Sequence, residues 1–148
     1  MSNHPSNSRV QQEIGKELVN TFFSKLGAPL EQEKVLYLGS ICKVVIDGYS
    51  ADPPILCEAW VHCGKPKGGQ PSKIIEDALK LLFTEKCLEK EHRKILLFCD
   101  EDSRKHFTGK SWQAKCLRDY GIETEVCLLS EEQKQRVKKA KKLQQTPK

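Results

Sequence analysis

Two acidic residues and the segment that follows them hold the chemistry this sequence offers. Asp47 ends one β-rich run, and Glu58-Ala59-Trp60-Val61-His62 lies on the next. Side chains alternate along a strand, so Glu58, Trp60 and His62 share a face, and a hairpin between the two runs brings Asp47 beside Glu58. Two converging carboxylates hold Mg²⁺ or Mn²⁺. Such an ion polarises a phosphodiester, lowers the pKa of an attacking water and offsets charge on the leaving oxygen. The plainer alternative is structural, because Asp before Gly is a common turn residue and a strand Glu usually faces solvent.

The loop Gly64-Lys65-Pro66-Lys67-Gly68-Gly69 stands between the carboxylate strand and a helix start. Backbone amides, the helix dipole and the charges of Lys65 and Lys67 all favour a phosphate there. On the helix, Gln70, Lys73 and Asp77 follow i, i+3, i+7 spacing along one edge of the apolar stripe and point toward the same site. His62 has the type of a metal ligand or base, set against the commoner structural histidine. Cys57, His62 and Cys63 fail as a zinc set, since neighbouring strand residues point to opposite faces. Asp100-Glu101-Asp102 closes a later strand, where acids bind metal in several phosphotransfer folds, but Asp100 and Ser103 are equally good helix starters. The basic run Lys134 to Lys142, with Lys138 and Lys139 at its centre, suits nucleic-acid phosphates or simple solvation.

These residues need a scaffold. Met1 to Ser8 is small and polar and reads as a disordered lead, with Ser8 as the N-cap of a helix over Arg9 to Leu26. Val10, Ile14, Leu18, Phe22 and Leu26 recur at spacing four, and Gly27 stops the run. Val35 to Asp47 and Ile55 to Cys63 read as a hairpin, with Gly39 and Ser40 interrupting the first. A helix follows over about Pro71 to Glu89, with Ile74, Ile75, Ala78, Leu79 and Leu82 inward. The apolar strand Lys94 to Cys99, a helix over Ser111 to Tyr120 and a strand over Ile122 to Leu129 form a βαβ unit. Trp112 and Tyr120 read as core or interface. Ser130-Glu131-Glu132-Gln133 is a capping box for a last helix. The expectation is one α/β domain over 9–130, with a basic helix or tail over 131–148.

Composition bounds the partners. At 148 residues, with 38% hydrophobic and 30% charged, one domain with its own core suffices. Seven scattered cysteines without a CxxC pair read as buried, reduced thiols of a cytoplasmic protein, and no apolar run is long enough for a membrane. The net charge of +5 lies wholly after Ser130, where seven basic residues face two acidic ones, so the body is neutral. No segment marks a two-fold interface, which leaves a homodimer open.

The run from Cys57 through Lys73, with Asp77-Ala78-Leu79-Lys80-Leu81 after it and Asp47-Gly48 before it, resembles uncharacterised bacterial proteins of the PD-(D/E)XK, restriction-endonuclease-like, superfamily. The likeness covers roughly Lys43 to Leu82. It implies a mixed central sheet flanked by helices, built from a helix, three strands, a helix and a further strand. It also implies a Mg²⁺- or Mn²⁺-dependent nuclease of DNA or RNA, with Asp47 as the first acid and Glu58 as the acid of the triplet. The triplet's lysine position holds Trp60. In this superfamily that lysine can migrate to the following helix, where Lys73 is the leading replacement, Lys65 and Lys67 stand behind it, and Gln70 is a polar partner. The departure also supports a second expectation, a nuclease-fold module that binds nucleic acid or a protein without cutting.

Overall fold

The computed structural model describes residues 7–145. The spacing-four stripe of the first segment becomes α1 (Asn7–Leu26), and Val10, Ile14, Leu18, Val19, Phe22 and Phe23 are buried along it. The helix begins earlier than expected, so Ser8 lies within it instead of capping it. Two added residues on a docked helix cost little, because nucleation is the expensive step. The rest of the proposed disordered lead, 1–6, lies outside the described residues. Gly27, at φ 70°, supplies the left-handed stop.

A five-stranded sheet follows in the order β1-β2-β3-β4-β5: β1 (Glu31–Leu38), β2 (Cys42–Ser50), β3 (Ile55–Trp60), β4 (Arg93–Phe98) and β5 (Ile122–Val126). β1, β2 and β3 pair antiparallel, and β3, β4 and β5 pair parallel. The stretch expected as the first arm of a hairpin is therefore itself a hairpin, because Gly39 at φ 75° turns the chain between β1 and β2. Its second half, β2, is the arm that pairs with β3.

Helices cover both faces, as an α/β sheet requires. α1 and α5 (Glu131–Gln145) close one core over Ile55, Cys57, Ile95 and Leu97. On the other face, α2 (Gln70–Leu88) and α4 (Trp112–Asp119) bury Ile74, Leu81 and Leu117 over Leu56, Leu96 and Phe98. The short α3 (Glu101–Lys105) lies between β4 and α4. α5 is docked, not a free tail. Arg136 donates to both carboxylate oxygens of Glu17 at 2.9 Å, and Val137 and Ala140 are buried against α1. The capping box forms as expected, with Ser130 Oγ accepting from Gln133 N and Gln133 Oε1 accepting from Ser130 N. The Leu143 side chain and residues 146–148 lie outside the described residues.

Two expectations about side chains are corrected. Trp112 and Tyr120 are exposed and so do not belong to the core half of their core-or-interface reading, because α4 turns Ala114 and Leu117 inward instead. Of the seven free cysteines, Cys57, Cys99 and Cys127 are buried, but Cys42, Cys63 and Cys87 sit at strand ends or on the outer side of α2 and are exposed. No helix among the described residues is long and apolar enough to cross a membrane.

The feature that matters for the site is the middle of β2. Glu33, opposite Asp47 in a ladder that runs from Lys34↔Ile46 to Gln32↔Gly48, takes φ 49°. There α1 lies directly on the strand. A Cβ at Gly48 would stand 2.6 Å from Val19 Cγ1 and 2.9 Å from Phe23 Cε1, and both side chains are buried and fixed. Gly48→Ala should therefore destabilise the protein by about 1–3 kcal/mol through overpacking, read as a lower denaturant midpoint at unchanged slope.

Candidate functional site

β2 and β3 are paired from Ser50↔Ile55 to Gly48↔Cys57. The next opposed residues are Asp47 and Glu58, and there the regular ladder gives way to a side-chain contact: Asp47 Oδ2 accepts from Ala59 N at 2.9 Å. A cleft of about 290 Å³ lies at this point. α1 contributes Gln11, Gln12 and Lys16 to it, the strands contribute Asp47, Ala59 and Trp60, and α2 contributes Lys73 and Asp77.

Glu58 follows the alternation of β3 and faces α2 with Leu56, leaving it only 5% exposed. Its carboxyl pKa is pushed up to about 9, first by burial, then by the charge of Asp47 and a hydrogen bond to that carboxylate, with Lys80 opposing. With its pKa so raised, Glu58 keeps its proton at neutral pH and donates it to Asp47. Lys80 Nζ stands 2.7 Å from Glu58 Oε1, yet that buried oxygen has no well-directed hydrogen bond. The neighbouring Asp77 carboxyl is also raised, by burial more than Lys73 and Lys80 lower it.

The expected residues divide into two groups. Asp47 and Glu58 meet; Asp47, Lys73, Trp60 and His62 line the cleft, whereas Glu58 is buried beside Asp47 and does not line it. Lys73 reaches Asp77 Oδ1 at 3.6 Å. Gln70 serves the loop instead, its Oε1 accepting from Lys67 N at 2.9 Å at the start of α2. Lys65 and Lys67 are exposed on that loop, and Lys138 and Lys139 are exposed on α5.

His62 does not simply continue the face of Glu58 and Trp60, because β3 ends at Trp60. Its ring packs 4.5 Å from the Trp60 ring, and its Nδ1 lies 3.0 Å from Gln11 Nε2 of α1. An amide NH₂ only donates, so the neutral ring accepts at Nδ1 and carries its proton at Nε2. Burial and the nearby charge of Lys141 hold the imidazole pKa below its usual value.

Two participants were not anticipated. Gln11 is a buried polar residue on the α1 stripe, at i−3 from Ile14, which is the signal that marks it. Lys80 continues the Gln70, Lys73, Asp77 edge by one more turn, and it, not Lys73, reaches Glu58. Glu13 and Glu17 of α1 are engaged by Arg136 away from the carboxyl pair. Asp100 is a cap: Oδ1 accepts from Ser103 N and Oδ2 from Gly64 N, and these bonds lower its pKa despite burial. Asp102 is exposed. Compared with known protein families, with curated proteins and with solved structures, the chain finds no match.

Proposed function

We propose that this chain is a divalent-metal-dependent phosphodiesterase acting on nucleic acid, with a restriction-endonuclease-like fold. The order helix, three strands, helix, strand supports that fold assignment. The observation that carries the function is the Asp47–Glu58 pair at a cleft where β2 and β3 cease to pair, with a buried Glu58 oxygen left without a directed donor. Two adjoining carboxyls, one of them with an oxygen that lacks a directed donor, fit Mg²⁺ or Mn²⁺, both of which favour oxygen ligands. Asp47 and Glu58 would hold the ion, whose contribution is Lewis acidity toward a phosphate oxygen and a more acidic bound water.

The chain's own groups supply the rest. Lys80 and Lys73 offset phosphate charge beside the carboxyls. Gln11 orients the neutral His62, whose Nε2–H is a donor for a phosphate oxygen. Exposed Lys65, Lys67, Lys138 and Lys139 give an anionic polymer salt-dependent contacts away from the cleft. A second reading, a binding module without catalysis, is favoured by Trp60 in the lysine position and by Lys80 Nζ standing 2.7 Å from Glu58 Oε1, where an ion would have to sit.

Incubation with single- and double-stranded DNA and RNA, with Mg²⁺, Mn²⁺ or a chelator, tests the two readings. The nuclease predicts metal-dependent cleavage of at least one substrate, abolished in Asp47→Asn. Binding of nucleic acid that weakens with salt, with no cleavage by either protein, would establish the module instead.

A further inference from the structure

At the other end of β3 from its turn with β2, and outside the acidic cleft, Cys63 and Cys99 meet. They follow β3 and β4, whose last paired residues are Trp60 and Phe98. Their sulfurs are 3.6 Å apart, and a carboxylate oxygen of Asp100 lies with both sulfurs inside a 4.8 Å span. Among the described residues this is the one close group of three metal-ligating side chains. We propose that Cys63, Cys99 and Asp100 bind a thiophilic divalent ion, Zn²⁺ by chemical class, with water completing the coordination.

The spacing supports the assignment. A tetrahedral ion with bonds of about 2.3 Å to each sulfur sets them roughly 3.8 Å apart, close to what is found. The orientation is fixed from outside the group. Asp100 is held by the amides of Ser103 and Gly64, each using one lone pair of a different oxygen and leaving the others for an ion. That is the support a ligating carboxylate needs to be presented rigidly. Cys99 is buried and Cys63 exposed, so the group has a polar inner wall and an entry path. Three protein ligands leave one position open, the arrangement of an exchangeable site and not of a closed structural one. Because Gly64 is bonded to Asp100, occupancy would brace the Gly64 to Gly69 loop that carries Lys65 and Lys67. The site stands whether or not Asp47 and Glu58 support cleavage.

The test uses the full chain, reduced and freed of metal, titrated with Co²⁺ and then Zn²⁺. One equivalent of Co²⁺ should bind with a sulfur-to-cobalt charge-transfer band, be displaced by Zn²⁺, and protect Cys63 and Cys99 from alkylation. Cys63→Ser, at an exposed position that folding tolerates, should remove the band and weaken Zn²⁺ by about 100-fold or more. Asp100→Asn keeps the helix cap and should also weaken binding. Glu58→Gln should leave the band unchanged, since an acidic site gives no charge transfer from sulfur. A band that persists in Cys63→Ser, the absence of any band, or a Cys63–Cys99 disulfide in place of metal binding would each overturn the proposal.

Discussion

Glu58→Gln should abolish metal-dependent cleavage and, in the same protein, raise stability in the absence of metal at neutral and alkaline pH. Both effects come from one group. The folded state holds the Glu58 proton up to about pH 9, against an ordinary value of 4.5, because burial and Asp47 penalise the anion. Between those values the folded chain binds more protons than the unfolded chain, so stability is full below about pH 4.5 and is lost as pH rises through 9. At about 1.4 kcal/mol per pKa unit, the cost at pH 7 is on the order of a few kcal/mol. Gln keeps the shape and cannot ionise, so the variant's unfolding free energy should be flatter across this range and higher at its upper end.

Metal reverses the ranking. An ion that replaces the Glu58 proton stabilises the wild type by about 2.7 kcal/mol at one hundred times its dissociation constant, and the variant by little. Cleavage should fall by about 1000-fold or more, equivalent to roughly 4 kcal/mol of barrier. Denaturant titrations from pH 5 to 9, with and without Mg²⁺, check all of this. Identical pH profiles for the two proteins would remove the buried carboxyl pair from the account.

The acids were legible in the sequence because strand alternation and one antiparallel pairing suffice to place Asp47 opposite Glu58. The α2 stripe was legible in part for the same reason of period: Ile74 and Ala78 are buried as expected, but Leu79 is exposed and Leu81 is buried in its place, and the outer edge extends to Lys80. What escaped was set by geometry that no period encodes. The interruption at Gly39 was visible in the β-rich run, but not that it is a turn between two paired strands, and the end of β3 at Trp60 breaks the alternation that had put His62 beside Glu58. Cys63 and Cys99, 36 residues apart, meet only because β3 and β4 are parallel neighbours. Gln70, Lys65 and Lys67 carry the right chemistry for phosphate, but the hydrogen bond from Lys67 N to Gln70 turns that loop toward closing the helix start.

Lys80→Met should lower the cleavage rate by about 10²–10³-fold, the usual cost of removing one group that stabilises charge in a transition state, whereas Lys73→Ala should cost less than about tenfold. The reason is position. Lys80 Nζ stands 2.7 Å from Glu58, while Lys73 is 3.6 Å from Asp77 and exposed to solvent screening. A loss of rate in Lys80→Met has two sources, and excess metal separates them. If Lys80 only neutralises Glu58, its removal raises that carboxyl's pKa further and weakens the ion, so saturating Mg²⁺ or a higher pH restores the rate. If the ammonium acts on the phosphate, neither restores it, and Lys80→Arg recovers part of what Lys80→Met loses. An unimpaired Lys80→Met together with a crippled Lys73→Ala would return the migrated lysine to Lys73, where spacing alone had placed it. It would also leave the 2.7 Å pair as the feature that makes the buried Glu58 tolerable in the folded chain.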